Sequence, residues 1–282
     1  MADCGKSVDF YRSHVKFFVA DSGREDRFVL DFLSACHNNL VGLDLPPITH
    51  DREMWSSLLL AMPFPSLRLL VVSSDVFSYD SGCIFRAPIF QNLTQLDIRF
   101  TLSSSTFAAQ LTDFHNASQH RKRFSWDGLQ SLENLNHLHI EATLALKIRD
   151  HDKLRPIVSD ILSHLPSSLV YVSISLSARL LKRVAQLENH QRQFYEELIS
   201  GIIDTRFAIS YMSEEDGSSQ EEEFFKANFS EYLLPRMQED PVPFMHGFTT
   251  DFWERLEDIM GRRNRELKAG IVTSEIHVQS LE

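Results

Sequence analysis

Cysteine is scarce: the three residues, Cys4, Cys36 and Cys83, are odd in number and fit neither CxxC nor Cys/His ligand spacing. They signal neither a disulfide framework nor a zinc site and predict a reducing compartment, cytoplasmic or nuclear. No run of about 18 apolar residues occurs. The start of the chain carries Asp3, Lys6, Asp9 and Arg12 where a secretory leader would be apolar. Neither membrane spanning nor classical secretion is therefore expected. Basic charge is short as well, 28 Lys and Arg against 39 Asp and Glu, leaving a net charge of −11. Holding nucleic acid by phosphate neutralisation needs the opposite excess, so nucleic acid is not an expected partner. GxGxxG, P-loop, HExxH and G-x-S-x-G motifs are all missing, and no cofactor or metal is implied.

What is present suits a folded domain. Hydrophobic residues make up 43% and charged residues 24% of the 282, enough to bury a core. Six of the acids fall together at Glu214, Glu215, Asp216, Glu221, Glu222 and Glu223 beside Gly217, Ser218 and Ser219. This stretch reads as a solvated loop entering a helix through an acidic first turn, with an acidic docking tail as the less favoured reading. His120-Arg121-Lys122-Arg123 is too short and isolated to rank above a solvated loop. The sequons at Asn92, Asn116 and Asn228 are poor glycosylation candidates without a secretory signal.

One motif, Leu-x-x-Leu-x-Leu with conservative replacements, is written five times. The copies are Leu40, Leu43, Leu45; Leu67, Leu70, Val72; Leu93, Leu96, Ile98; Leu135, Leu138, Ile140; and Leu169, Val172, Ile174. Small polar residues precede each: Asn39, Ser66, Asn92, Asn134 and Ser168. Phe207, Ile209, Tyr211 is a weaker sixth copy, and Val15, Phe17, Val19 alternates like a leading strand. An apolar pair two residues apart is what a short strand with one buried face requires.

Between the motifs the apolar period changes from two to 3.6. Val29, Phe32, Leu33 and Cys36 form one stripe; Trp55, Leu58, Leu59 and Met62 form another; Leu154, Val158, Ile161, Leu162 and Leu165 form a third, with Asp152 as the expected N-cap. A strand that always follows a helix must run parallel to its neighbours if they share a sheet. The predicted architecture is α/β: an irregular leucine-rich-repeat-like solenoid over residues 1–213, its parallel sheet concave and its helices convex.

The phrases NLVGLDL, PSLRLLVV, NLTQLDI, NLNHLHI and SLVYVSI, joined by helices such as FVLDFLSAC and VSDILSHLP, resemble the leucine-rich-repeat portion of fungal, particularly basidiomycete, F-box proteins. The resemblance covers about residues 14–213. It implies a substrate-recognition module of a ubiquitin-ligase receptor. The family's F-box needs several short helices, and only residues 1–13 precede the first expected strand. The adaptor-binding function is therefore carried onto no residue here. Ubiquitin-ligase components become partners only if an F-box lies outside this reading frame.

Residues 214–282 read as the acidic loop followed by a helical C-terminal cap. Phe224, Phe225, Phe229, Leu233 and Leu234 suggest an amphipathic helix ending at Pro235, and Pro241 and Pro243 then break the chain. A last helix from about Thr250 buries Phe252, Leu256 and Ile259, with Arg262, Arg263, Arg265 and Lys268 toward its negative end. Such helices would close the end of a repeat array. Trp253 on this helix is the alternative partner-binding residue.

The residue between the second and third apolar positions of each copy is expected to face solvent. That column is Asp44, Val71, Asp97, His139 and Ser173, flanked by Gln95, His137, Tyr171 and by Arg99, Glu141, Ser175. Asp97, His139 and Ser173 have the composition of a hydrolase triad, but mid-strand positions lack the strained elbow and free amides that acyl transfer uses. The preferred expectation is a non-catalytic protein-binding surface comprising Gln95, Asp97, Arg99, His137, His139, Glu141, Tyr171 and Ser173. The pair His137 and His139 lacks a nearby third ligand and implies no metal.

Overall fold

A computed structural model describes residues 7–20, 26–45, 52–74, 84–100, 126–142, 154–212, 223–225, 227, 229, 232–236 and 250–270. Cys4, Cys83, the basic cluster at 120–123, the Asp152 cap, most of the acidic stretch, Asn116, Asn228, Pro241 and Pro243 lie outside them. The chain divides into two compact units, one of residues 1–139 with 156–170 and one of 140–155 with 171–282. The expected boundary near residue 213 falls inside the second.

The first unit opens with α1 (Val8–His14), whose N-terminus is capped by Ser7 accepting from the Phe10 amide at 3.2 Å. Then follow β1 (Phe17–Val19), α2 (Asp26–Cys36), β2 (Gly42–Leu45), α3 (Arg52–Ala61), β3 (Leu69–Ser73), two 3-10 turns (Ile84–Arg86, Pro88–Phe90) and β4 (Gln95–Arg99). A third 3-10 turn (Leu129–Ser131) leads into β5 (His137–Glu141), whose first three residues belong to this unit. β1 to β4 pair in chain order, all parallel, with Leu43 opposite Leu70 and Leu70 opposite Leu96. The expected apolar column therefore forms: Leu43, Leu70, Leu96 and Leu138 are buried, as are Leu40, Leu67, Leu93 and Leu135. The helical stripes pack as their spacing predicts at Val29, Phe32, Leu33, Cys36, Trp55 and Leu59.

The small polar residue ahead of each motif has a structural use. Asn39 donates to the Arg12 carbonyl, Ser66 to Asn38 (2.9 Å), Asn92 to Pro65 (3.3 Å), Asn134 to Gln91 (3.4 Å) and Ser168 to Leu135 (2.9 Å). Asn39 reaches back to the last turn of α1, and the other four side chains each reach back to a carbonyl in the connection just before the preceding strand. The leading strand departs from expectation. Phe18, not Phe17, is opposite Leu43 and stacks on Phe32 at 4.3 Å, leaving Phe17 59% exposed. A one-residue shift exchanges the two faces of a strand.

The second unit holds β6 (Tyr171–Ser177), α5 (Ala178–Ala185), α6 (Asn189–Ile199), β7 (Phe207–Met212), β8 (Leu234–Arg236) and α7 (Thr250–Lys268). The helix α4 (Leu154–Ser163) begins in this unit and continues in the first. Ser177 ends β6 and caps α5, accepting from the Leu180 amide at 3.2 Å. β6, β7 and β8 are parallel and in chain order. Phe207, Ile209 and Tyr211 are buried like the other motif copies. The helix expected to end at Pro235 gives way to β8. There Pro235 pairs with Tyr211 in the outermost strand of this set, where an absent N–H is tolerated.

The last helix, α7, packs against a sheet face of its own unit. Phe252, Trp253, Leu256 and Met260 form a cluster with Ala208, and Tyr171 packs against it. Ala208 is opposite Ser173 and alternates with the buried Phe207 and Ile209. The helix therefore lies on the sheet face that the repeat pattern assigns to solvent.

Candidate functional site

The column expected to be exposed is buried in both units. Asp44, Val71 and Asp97 stand in register on β2, β3 and β4, and the two carboxylates retain 2% and 3% exposure. The Thr94 and Gln95 amides donate to the Arg68 carbonyl, and the Asn136 and His137 amides repeat this on Thr94. Since the first pattern sets Leu69 opposite Gln95, the second sets His137 beside Gln95 and His139 beside Asp97. His139 is fully buried. The prediction that Asp97 and His139 face solvent is thus overturned.

Asp44 and Asp97 tolerate burial because Arg99 serves them. Its guanidinium spans the width of β3 to grip Asp44 through Nη1–Oδ1 at 3.2 Å and Nη2–Oδ2 at 3.3 Å, while Nε lies 3.9 Å from Asp97 Oδ2. A planar fork on a carboxylate is a bidentate, charge-assisted pair, fixed in direction as well as strength. The Arg99 side chain keeps 18% exposure. Gln95 and His137 are also partly exposed, so the first unit presents three of the predicted residues at its surface.

In the second unit Ser173 is fully buried, its hydroxyl 3.4 Å from that of Ser210, which lies 2.6 Å from Ser175 Oγ. These hydroxyls satisfy one another within the sheet, and Ser173 is corrected from a surface residue to an interior one. Glu141 and Tyr171 are partly exposed. Burial, followed by the nearby Glu257 carboxylate, raises the Tyr171 pKa above its ordinary value. Trp253 is corrected likewise: it is buried, with its ring edge-to-face on Phe252 at 5.2 Å. Among the described residues no group of three His, Cys, Asp or Glu could hold a metal, and no helix is long and apolar enough to cross a membrane.

Sequence reasoning missed Arg263 and Gly201. Arg263 was read only as one of the basic residues toward the negative end of its helix, and it is fully buried. It donates to the carbonyls of Ile199 (3.1 Å), Phe207 (2.8 Å) and Thr205 (2.7 Å). Burial lowers its pKa to about 10, opposed by Asp204. Gly201, at φ 77°, makes room: a Cβ there would stand 2.5 Å from Arg263 Nε. The available signal was position, because Arg263 continues the Phe252, Leu256, Met260 stripe by three more residues.

Comparison with family models, with curated proteins and with solved structures finds no match to this chain.

Proposed function

We propose that the chain is a non-catalytic protein-interaction module, built as an irregular leucine-rich-repeat-like solenoid and similar to the substrate-recognition part of an F-box receptor. Five motif copies with a back-reaching polar residue before each support the repeat reading. The observation that carries the binding reading is Arg99: a guanidinium immobilised on rigid strands by Asp44, partly exposed beside Gln95 and His137. Arginine held in one geometry before association loses little entropy on binding, and it is a favoured interface anchor. Asp97, His139 and Ser173 support no hydrolase reading, being buried in mid-strand positions. The protein partner is unknown, and ubiquitin-ligase components belong to this proposal only through an F-box outside this sequence.

The test is a quantitative affinity capture comparing the wild-type chain with Gln95→Ala/Arg99→Lys. Lysine keeps the charge over Asp44 but loses the fork. A specific partner should be depleted at least about tenfold, equivalent to 1.4 kcal/mol. Equal capture by both chains would remove this surface from the account.

A further inference from the structure

The N-terminal ends of β1, β2 and β3 form a notch on one face of the sheet. Phe17, Gly42 and Leu69 stand in register across the three strands. Phe17 is 59% exposed and Leu69 is partly exposed, while Gly42 between them carries no side chain and its backbone is buried as a floor. An extended strand accepts any residue, so the backbone does not require glycine here. Glycine weakens a strand, and it often marks a place where another chain approaches closely. Neighbouring strands lie about 4.8 Å apart, which sets the strands of Phe17 and Leu69 roughly 10 Å from each other, with room for one inserted side chain between the two apolar walls.

The rim of this notch is cationic, in a chain of net charge −11. The Lys16 carbonyl accepts from the Val41 and Gly42 amides, and the Val41 carbonyl accepts from the Arg68 and Leu69 amides, so Lys16, Val41 and Arg68 form a second row just ahead of the first. Lys16 and Arg68 are exposed and Val41 is partly exposed. Arg68 is held in place, its Nη1 donating to the carbonyls of Leu67 (3.0 Å) and Asn92 (3.2 Å). The one carboxylate on the three strands, Asp44, lies two residues further along β2 and is gripped by Arg99. We propose that the notch binds an extended acidic peptide, which seats one apolar side chain over Gly42 between Phe17 and Leu69 and sets a carboxylate against each of Lys16 and Arg68. These cations are two strands apart, and an extended chain advances about 3.3 Å per residue, so the two carboxylates belong about three residues apart. Arg99 lies on β4, outside the notch, so this reading and the Arg99 interface stand or fall separately.

The test pans a display library of random twelve-residue peptides on the full-length chain, counter-selected against the bare support. The expected consensus is an apolar residue flanked by Asp or Glu, with the acids about three residues apart. The best peptide, synthesised with a fluorophore, should bind the wild-type chain in an anisotropy titration, and its affinity should fall as salt is raised. It should bind Phe17→Ser, Gly42→Val and Lys16→Glu at least about tenfold more weakly. Phe17 and Lys16 are exposed, so those two variants should keep the wild-type thermal transition, and loss of binding in them is not loss of fold. No enriched peptide, a consensus without acids, or equal binding to Phe17→Ser or Lys16→Glu would overturn the proposal. A dimer of the wild-type chain that Phe17→Ser abolishes in sedimentation would overturn it as well, by giving the notch to a second copy.

Discussion

The Ser66 hydroxyl donates to the Asn38 carbonyl at 2.9 Å, one motif copy back along the chain. The same relationship joins Asn92 to Pro65 and Asn134 to Gln91. Each side chain ties a turn to its predecessor, so alanine at Ser66 or Asn92 should lower stability by about 0.5–1.5 kcal/mol. The two effects should not simply add, because Asn92 binds the carbonyl of Pro65, the residue bonded to Ser66. Urea denaturation of the single and double variants checks this; no loss in either would mean that water serves these carbonyls equally well.

Asp44 and Arg99 predict a contrast between partners. Asp44→Ala removes the carboxylate that the guanidinium grips with two bonds, whereas Arg99→Ala removes a cation that reaches two buried carboxylates. Removing one member of a buried pair typically costs about 3–5 kcal/mol, and the Arg99 variant should be the worse. Leu96→Ala, a core truncation under the same strand, should cost about 2–5 kcal/mol. Asp97→Ala should also destabilise measurably, as its carboxylate is buried. Thermal and chemical denaturation rank all four.

Acid sensitivity should come partly from Asp204. Burial acts to raise its pKa, but hydrogen bonds from the Arg206 side chain and amide, with the nearby Arg206 and Arg263 charges, bring the net shift below the ordinary value. A carboxylate whose pKa is lower folded than unfolded stabilises the fold above its unfolded pKa, and loses that contribution as pH falls through the folded value. Asp204→Asn should therefore be less stable than wild type at pH 7, with the gap closing below about pH 4. Stability measured from pH 7 to pH 3 decides it; a constant gap would assign the loss to geometry rather than charge.

Arg263 and Gly201 should behave as one unit. Arg263→Gln removes a cation serving three carbonyls and should cost about 2 kcal/mol or more. Gly201→Ala combines a left-handed backbone with a Cβ at 2.5 Å from Nε and should cost about 1–3 kcal/mol. Because both displace the same guanidinium, the double variant should lose clearly less than the sum. Full additivity would show that the cup and the glycine act independently.

The apolar half of the fold was legible in the residues. Leu43, Leu70 and Leu96 each hold the second place of Leu-x-x-Leu-x-Leu, whose internal spacing is constant although the copies are not evenly spaced, and hydrophobic burial follows that internal spacing. The polar half was misread for a physical reason. Asp44, Asp97 and Ser173 are residue types that ordinarily seek water, and the partners that accompany their burial are not marked by the motif: Arg99 grips Asp44 from two strands away, and Ser210 meets Ser173 from the neighbouring strand. No local period encodes such pairings. Phe17 was misread because Val15, Phe17 and Val19 alternate as well as Phe18 and its neighbours do, and the register is set by Leu43 across the sheet.

Site-specific photo-crosslinking from position 95 tests the central claim, that the side chains around Arg99 form a protein interface. With a benzophenone amino acid at Gln95, irradiation in an extract of the source cells should give one discrete adduct. Introducing Arg99→Lys should remove it, and the same probe at the exposed Arg12 of α1 should not produce it. No adduct from position 95, or one indifferent to Arg99→Lys and shared with position 12, would contradict the account.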